Sequence, residues 1–220
     1  AHPTDTTDPY SFSKEMVEDI GAYYWRRDGI SSVAMRFPGV HRGDFILSDD
    51  FRHKREAARA LLDELASLPE PERRARVSEV QTRVLEFRRG RPFEFHPEQP
   101  QGPRRTFFDD PLFWTYAGDR YNFWTIIDVR DAAQSLEKGV TADYDGAHPL
   151  FVNDHTNTIG YDSRAIVRLF FPEVSQFNGD FSGAAALISI ERARQLIGFE
   201  PEYSVAALDL PEASHGAHDD

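Results

Sequence analysis

The chain opens with apolar residues at helical spacing, followed by a short apolar run. Residues 8–28 predict a helix, because apolar side chains recur every three or four positions on one face. These side chains are Met16, Val17, Ile20, Tyr23 and Tyr24. Gly29 predicts the end of the helix, and residues 31–37 predict a strand. This order of elements is typical of a parallel α/β sheet.

Two further apolar stripes predict a helical hairpin over residues 49–90. Pro69 and Pro71 separate the two stripes and so mark the turn of the hairpin. The stripes consist of Ala57, Ala58, Leu61, Leu62 and Leu65, and of Val77, Val80, Val84 and Phe87. Residues 90–112 are rich in proline, which predicts a loop or lid.

The rest of the chain alternates between predicted strands and helices, which indicates an α/β fold class. Strands are predicted for residues 123–129 and 150–152, and helices for residues 163–171 and 189–197. A further helix begins at Asp128 or Asp131 and continues through Ala132, Ala133 and Leu136. The polar residues after Leu210 are expected to be disordered.

Composition excludes several classes of function. The 220 residues include 37 Asp and Glu against 25 Lys and Arg, so the net charge is −12. This balance argues against nucleic-acid binding, including through the arginine-rich residues 72–105. No apolar run approaches the roughly 20 residues of a membrane span, and residues 1–10 lack the features of a signal peptide. We therefore expect a cytoplasmic protein with no membrane association.

Cysteine and histidine usage argues against a metal site. The chain has no Cys, which excludes a disulfide framework and any thiolate-ligated zinc or iron–sulfur site. The eight His residues show no spacing typical of metal ligands, and His155 is interpreted as a loop residue. No metal is expected.

The strongest local signal for chemistry is a tyrosine followed by a lysine four positions later. Tyr10 and Lys14 share one side of the first predicted helix. An ammonium close to a phenol favours the phenolate, so such a tyrosine can exchange a proton with a substrate oxygen near neutral pH. The alternative is that the two residues are surface neighbours without a catalytic role.

Four segments, in chain order, carry a resemblance to a known family. They are DPYSFSKEMVEDIGAYYWRRDGISSVAMRFPGV, FWTIIDVRDAAQSLEKGV, HPLFVND and ISIERARQLIGFEPEYS. The first contains the tyrosine and the lysine, and the others are similar to a strand with its Asp-Val-Ala helix, a late strand and a C-terminal helix. The chain resembles the NAD-dependent epimerase/dehydratase family of extended short-chain dehydrogenases/reductases over most of residues 8–203.

The resemblance implies a fold, a cofactor and a reaction. The fold would be a partial Rossmann-like parallel sheet with a mostly helical substrate-side subdomain. The cofactor would be NAD or NADP, with hydride transfer to and from it. Tyr10 matches the catalytic acid/base, and Lys14 matches its partner, which also holds the nicotinamide ribose. Phe37, Pro38 and Val40 match the cofactor-binding segment that lies against the nicotinamide.

The chain also departs from the family pattern. It has no glycine-rich turn for a dinucleotide, and only nine residues precede Tyr10, too few to hold the family's catalytic Ser or Thr. We therefore expect the C-terminal part of such an enzyme, without the N-terminal dinucleotide-binding half. Trp124 stands where sugar-nucleotide 4-epimerases carry an Arg, and Pro38 replaces an Asn, which argues against a UDP-sugar.

Aromatic residues crowd the stretch before the second predicted strand. Trp114, Tyr116, Arg120 and Trp124 are candidates to bind a small-molecule substrate in a pocket. The alternative is that most of these aromatic side chains pack in the core or between domains.

We expect the chain to divide into four regions. Residues 1–48 would be a remnant of the Rossmann-like domain and residues 49–116 the helical and lid subdomain. Residues 117–210 would hold the remaining strands and C-terminal helices, and residues 211–220 a disordered tail. The resemblance further implies a homodimer, or completion by another chain.

Two functions remain open from the sequence. The first is an NAD(P)-dependent epimerase/dehydratase-type oxidoreductase that acts on a sugar nucleotide or a related hydroxyl or keto substrate. The alternative is a truncated, non-catalytic relative that acts as a binding or interaction protein.

Overall fold

The order of helices and strands follows the predicted alternation. A computed structural model describes residues 9–89, 110–120, 123–179 and 181–209. Its elements are α1 (Pro9–Asp28), β1 (Ser32–Arg36), β2 (Gly39–His41), α2 (Gly43–Ile46), α3 (Asp49–Ser67), α4 (Glu70–Arg89), α5 (Pro111–Arg120), β3 (Ile126–Asp128), α6 (Val129–Thr141), β4 (Ala147–Phe151), α7 (Ser163–Phe170), α8 (Glu191–Ile197) and a 3-10 helix (Val205–Asp209).

The described strands form two small parallel sheets. In the first, β1 pairs with β4, from Ser32 opposite Ala147 to Arg36 opposite Phe151. In the second, β2 pairs with β3, and His41 lies opposite Asp128. The neighbouring strands β1 and β2 thus each pair with a strand from much later in the chain. Parallel strands need such a long connection, because the chain must return to the same end of the sheet. The predicted mixed α/β class with parallel sheets is confirmed.

Helices cover both faces of the β1–β4 sheet. Successive side chains of β1 point to opposite faces, so Ser32 and Arg36 lie on the α1 side, and Val33 and Met35 on the α6 side. Helix α6 approaches β1 so closely that position 139 has room only for a glycine. A Cβ atom at Gly139 would lie 2.7 Å from Met35 Cε and 2.8 Å from Val33 Cγ2.

A second core lies among the helices. The hairpin of α3 and α4 packs against α5 and α7, with Leu62, Leu65 and Val84 among the buried side chains. Helix α7 contributes Ile166 and Phe170, so a late part of the chain completes the core of the hairpin. The predicted hairpin is confirmed. The division into four regions stays a prediction.

Two expectations from the pattern need correction. The strand predicted from residue 123 begins only at Ile126, because Phe123 and Trp124 adopt left-handed conformations with φ of 49° and 54°. The apolar face predicted for α1 does exist, but Val17, Ile20, Tyr23 and Tyr24 on it are exposed. Of the loop or lid predicted for residues 90–112, residues 90–109 lie outside the described residues, whereas Pro111 and Leu112 begin α5. The tail predicted after Leu210 also lies outside the described residues.

The described helices also bear on membrane association. None of them is both long enough and apolar enough to cross a bilayer.

The contact of α6 with β1 gives a first prediction. Gly139→Leu should lower the free energy of unfolding by about 1–3 kcal/mol, because the new side chain would meet Val33 and Met35. Urea denaturation followed by circular dichroism measures this change. The matched control is Val140→Leu, one position along the same helix and 87% exposed, which should change stability by less than about 0.5 kcal/mol. Equal effects at both positions would contradict this packing.

Candidate functional site

The amino-terminal half of α1 lies beside the carboxyl end of β1. The Arg36 guanidinium donates two hydrogen bonds to Glu18, from Nε to Oε1 and from Nη2 to Oε2, each 2.8 Å long. Further along α1, Gly21 approaches the first residue of β1, Ser32, closely enough that a Cβ atom would lie 2.6 Å from Ser32 Oγ. Helix and strand therefore run in opposite directions, and the residues before Glu18 extend past the carboxyl end of β1.

This direction places the tyrosine–lysine motif beyond the edge of the sheet. With a rise of about 1.5 Å per residue, Lys14 stands about 6 Å beyond Glu18 along the helix axis, and Tyr10 about 12 Å beyond it. The three positions are four residues apart and share one side of α1. The Lys14 side chain is exposed, whereas the side chain of Tyr10 lies outside the described part of the structure.

The other predicted cofactor-binding residues lie at the same edge. Phe37 and Pro38 follow β1 directly, and Val40 lies in β2. Phe37 and Val40 are exposed, and Pro38 is half-buried. We call Tyr10, Lys14, Phe37, Pro38 and Val40 together the carboxyl-edge site. Ligands of open parallel α/β sheets bind at the carboxyl ends of strands, so this is the edge where a ligand is expected.

Two of the predicted substrate-binding residues lie in the helical core. The Trp124 ring stacks on Phe170 with centroids 5.4 Å apart, and its Nε1 donates to the Thr115 carbonyl oxygen over 2.9 Å. Tyr116 contacts the same phenylalanine, and both side chains are buried. Their burial favours the packing alternative. Trp114 and Arg120 lie in α5, but their side chains are outside the described residues.

Buried aspartates follow the strands, and their importance was not evident from the sequence. Asp131 accepts hydrogen bonds from the backbone N–H groups of Glu202 and Tyr203. Asp154 accepts from Val205 N at 2.7 Å and Ser204 Oγ at 2.8 Å. Burial raises the pKa of Asp154, although these hydrogen bonds act in the opposite direction. These two carboxylates attach the C-terminal segment to the sheets. Their positions two residues after the ends of the predicted strands 123–129 and 150–152 were the available signal.

Asp128 combines a helix cap with an ion pair. Its Oδ1 accepts from Arg130 N, which caps α6, and the Arg130 guanidinium forms hydrogen bonds with both carboxylate oxygens. The guanidinium carbon lies 3.4 Å from the centroid of the Tyr203 ring. The hydrogen bonds from Arg130 hold the pKa of Asp128 below its ordinary value. Ionised Asp128 therefore stabilises the folded state.

The described residues offer no evident metal centre. No cluster of three or more His, Asp or Glu side chains within them has the arrangement to hold a metal ion.

Comparison with known proteins found no relative. No protein-family model, no curated protein and no solved structure matches the chain. The function must therefore be argued from the geometry of the site.

The lowered pKa of Asp128 gives a pH-dependent prediction. Asp128→Asn keeps a capping side chain but removes the charge, so it should lower stability by about 1 kcal/mol at neutral pH. The stabilising effect is present above the unfolded pKa of about 4 and is lost as the pH falls through the lowered folded value. The difference between the two proteins should therefore shrink in acid. Urea denaturation at neutral pH and at about pH 3 measures it.

The control for this prediction is a carboxylate in the first turn of another helix. Asp50→Asn in α3 removes an exposed charge, and it should change stability by less than about 0.5 kcal/mol at either pH. A pH-independent loss in Asp128→Asn would contradict the electrostatic explanation.

Proposed function

We propose that the chain is the C-terminal part of an NAD(P)-dependent epimerase/dehydratase-type oxidoreductase. Its substrate would be a sugar nucleotide or a related compound with a hydroxyl or keto group. The observation that carries this proposal is the position of α1. Its amino-terminal half, with Tyr10 and Lys14, stands at the carboxyl edge of the β1–β4 sheet beside the exposed Phe37 and Val40.

The layers of the fold support the proposal. A parallel pair of strands with α1 on one face and α6 and α8 on the other is the arrangement that a partial Rossmann-like sheet would have. The helical bundle would form the substrate-side subdomain. It contacts the segment after β4, where Arg55 Nε donates to the Thr158 carbonyl oxygen and Arg59 Nε donates to that of Ile159. The bundle is thereby held next to the carboxyl edge.

The residues of the carboxyl-edge site would suit the nicotinamide end of the cofactor. Phe37 and Val40 present apolar surface to solvent, which suits an aromatic ring, and the exposed ammonium of Lys14 suits ribose hydroxyls. The chain has no glycine-rich turn to hold the pyrophosphate, so the rest of a dinucleotide would be bound by other residues. The nicotinamide, when bound, supplies the hydride acceptor or donor.

The proposed role of Tyr10 is proton transfer. In the oxidation of a substrate alcohol, the Tyr10 phenolate would accept the proton of the substrate hydroxyl. In the reverse direction, the Tyr10 phenol would return the proton to the oxygen of the keto group. Lys14, four residues away on the same helix face, would favour the phenolate.

Titration with NADH tests the cofactor directly. Nicotinamide fluorescence should show saturable binding, and Lys14→Gln should raise the Kd about tenfold by removing a charged hydrogen-bond donor. The matched control is Lys54→Gln, which removes an exposed lysine from α3 and should leave the Kd unchanged. Tyr10→Phe should keep the Kd within about twofold. Absence of saturable binding by the unmodified chain would contradict cofactor binding by these residues.

One observation favours the alternative function, a truncated, non-catalytic interaction protein. Val17 and Ile20 of α1 are each 54% exposed, and they line an apolar groove together with Ala34 and Pro149 of the sheet. Among the described strands, β1 pairs with β4 alone, and no described strand covers its other edge. Such a surface is typical of protein–protein contact.

This alternative predicts self-association through α1. The chain should elute as a dimer or larger species in gel filtration, and Ile20→Glu should shift it to the monomer by placing a charge on the apolar face. Val140→Glu on α6, where the side chain is 87% exposed, serves as the control and should leave the elution unchanged. A monomer at all concentrations would argue against this function.

A further inference from the structure

Glu18 and Arg36 connect the two parts of the carboxyl-edge site. Glu18 follows Lys14 by four residues, and Arg36 directly precedes Phe37. We propose that the Glu18–Arg36 ion pair is the positioning pair of this site, which fixes the helix carrying Tyr10 and Lys14 against the segment Phe37–Val40. The inference rests on the proposed function for the identity of the ligand. The role of the pair in fixing α1 against the sheet can be tested without that ligand.

The geometry of the pair suits it to hold an orientation. Two parallel hydrogen bonds between a planar guanidinium and a carboxylate restrict both sliding and rotation, which a single contact does not. The two side chains are only 20% and 23% exposed, so water competes weakly for their hydrogen bonds. The guanidinium carbon also lies 5.3 Å from the centroid of the Phe151 ring, which ties Arg36 to β4 as well as to α1.

The two halves of α1 are attached to the sheet in different ways. The carboxyl-terminal half is held by the chain itself, because only three residues separate Asp28 from β1, and Gly21 lies close against Ser32. In its amino-terminal half, Glu18 contacts the last residue of β1 through its side chain. Loss of the pair should therefore release the first turns of α1, where Tyr10 and Lys14 lie, more than the last.

Four substitutions separate positioning from general stability. Glu18→Gln removes the charge at constant size, and Arg36→Lys keeps the charge but loses the planar two-donor geometry. Asp19→Asn removes an exposed charge one residue from Glu18. Ile197→Val weakens the core of the β1–β4 sheet from α8, without contact to the ion pair.

Two measurements on each variant give the readout. In NADH titrations, Glu18→Gln should raise the Kd about tenfold and Arg36→Lys by a smaller factor, while both controls stay within about twofold. In hydrogen exchange, the amides of residues 13–17, which donate to carbonyl oxygens within α1, should exchange faster in Glu18→Gln, while those of residues 21–28 keep the unmodified rates. A purely structural role would move the Kd of Ile197→Val together with its stability.

The outcomes distinguish the inference from the proposed function. If the unmodified chain binds no NADH, cofactor binding by these residues alone is excluded, and the exchange data alone decide whether the pair positions the start of α1. Unchanged exchange in Glu18→Gln at the first turns would overturn the inference whatever the result with NADH. The same holds if NADH binds and Glu18→Gln leaves its Kd unaltered.

Discussion

The parallel pairing of β1 with β4 is the constraint on which the arrangement of the site depends. The register that places Arg36 opposite Phe151 brings the carboxyl ends of both strands to one edge of the sheet. The segments that follow the two strands therefore begin at the same edge of the sheet. They are the segment Phe37–Val40 and the loop that begins at Val152. Because α1 runs opposite to β1, its first turns reach the same edge. The residues of the candidate site thus lie at one edge because of strand direction.

Periodicity allowed much of the secondary structure to be predicted, but it did not show which helix faces are buried and which are exposed. The hairpin of α3 and α4 follows from spacing, and the existence of helix α6 follows from its capping residues. Whether Asp128 or Asp131 begins α6 did not follow, and the structure assigns the cap to Asp128. The left-handed turn at Phe123 and Trp124 does not follow either, because tertiary contacts of the Trp124 indole with Thr115 and Phe170 accompany it. Local preference alone disfavours positive φ at such bulky residues.

The candidate site was predictable in part for a similar reason. A tyrosine and a lysine four residues apart can be recognised in the sequence, because helix geometry relates them directly. The Glu18–Arg36 contact joins two elements, so it could be found only once α1 and β1 were placed together. Aromatic side chains at Tyr116 and Trp124 fit a core as well as a pocket, and burial was needed to distinguish the two.

The contribution of α7 to the core of the hairpin has a consequence for biosynthesis. Leu62 and Leu65 are covered in the folded protein with the help of Ile166 and Phe170, which leave the ribosome about 100 residues later. At the usual rate of translation that delay lasts several seconds, during which the part of the apolar surface of α3 and α4 that α7 covers stays exposed. The nascent chain is therefore most exposed to aggregation, and most dependent on chaperones, before residues 163–170 have emerged.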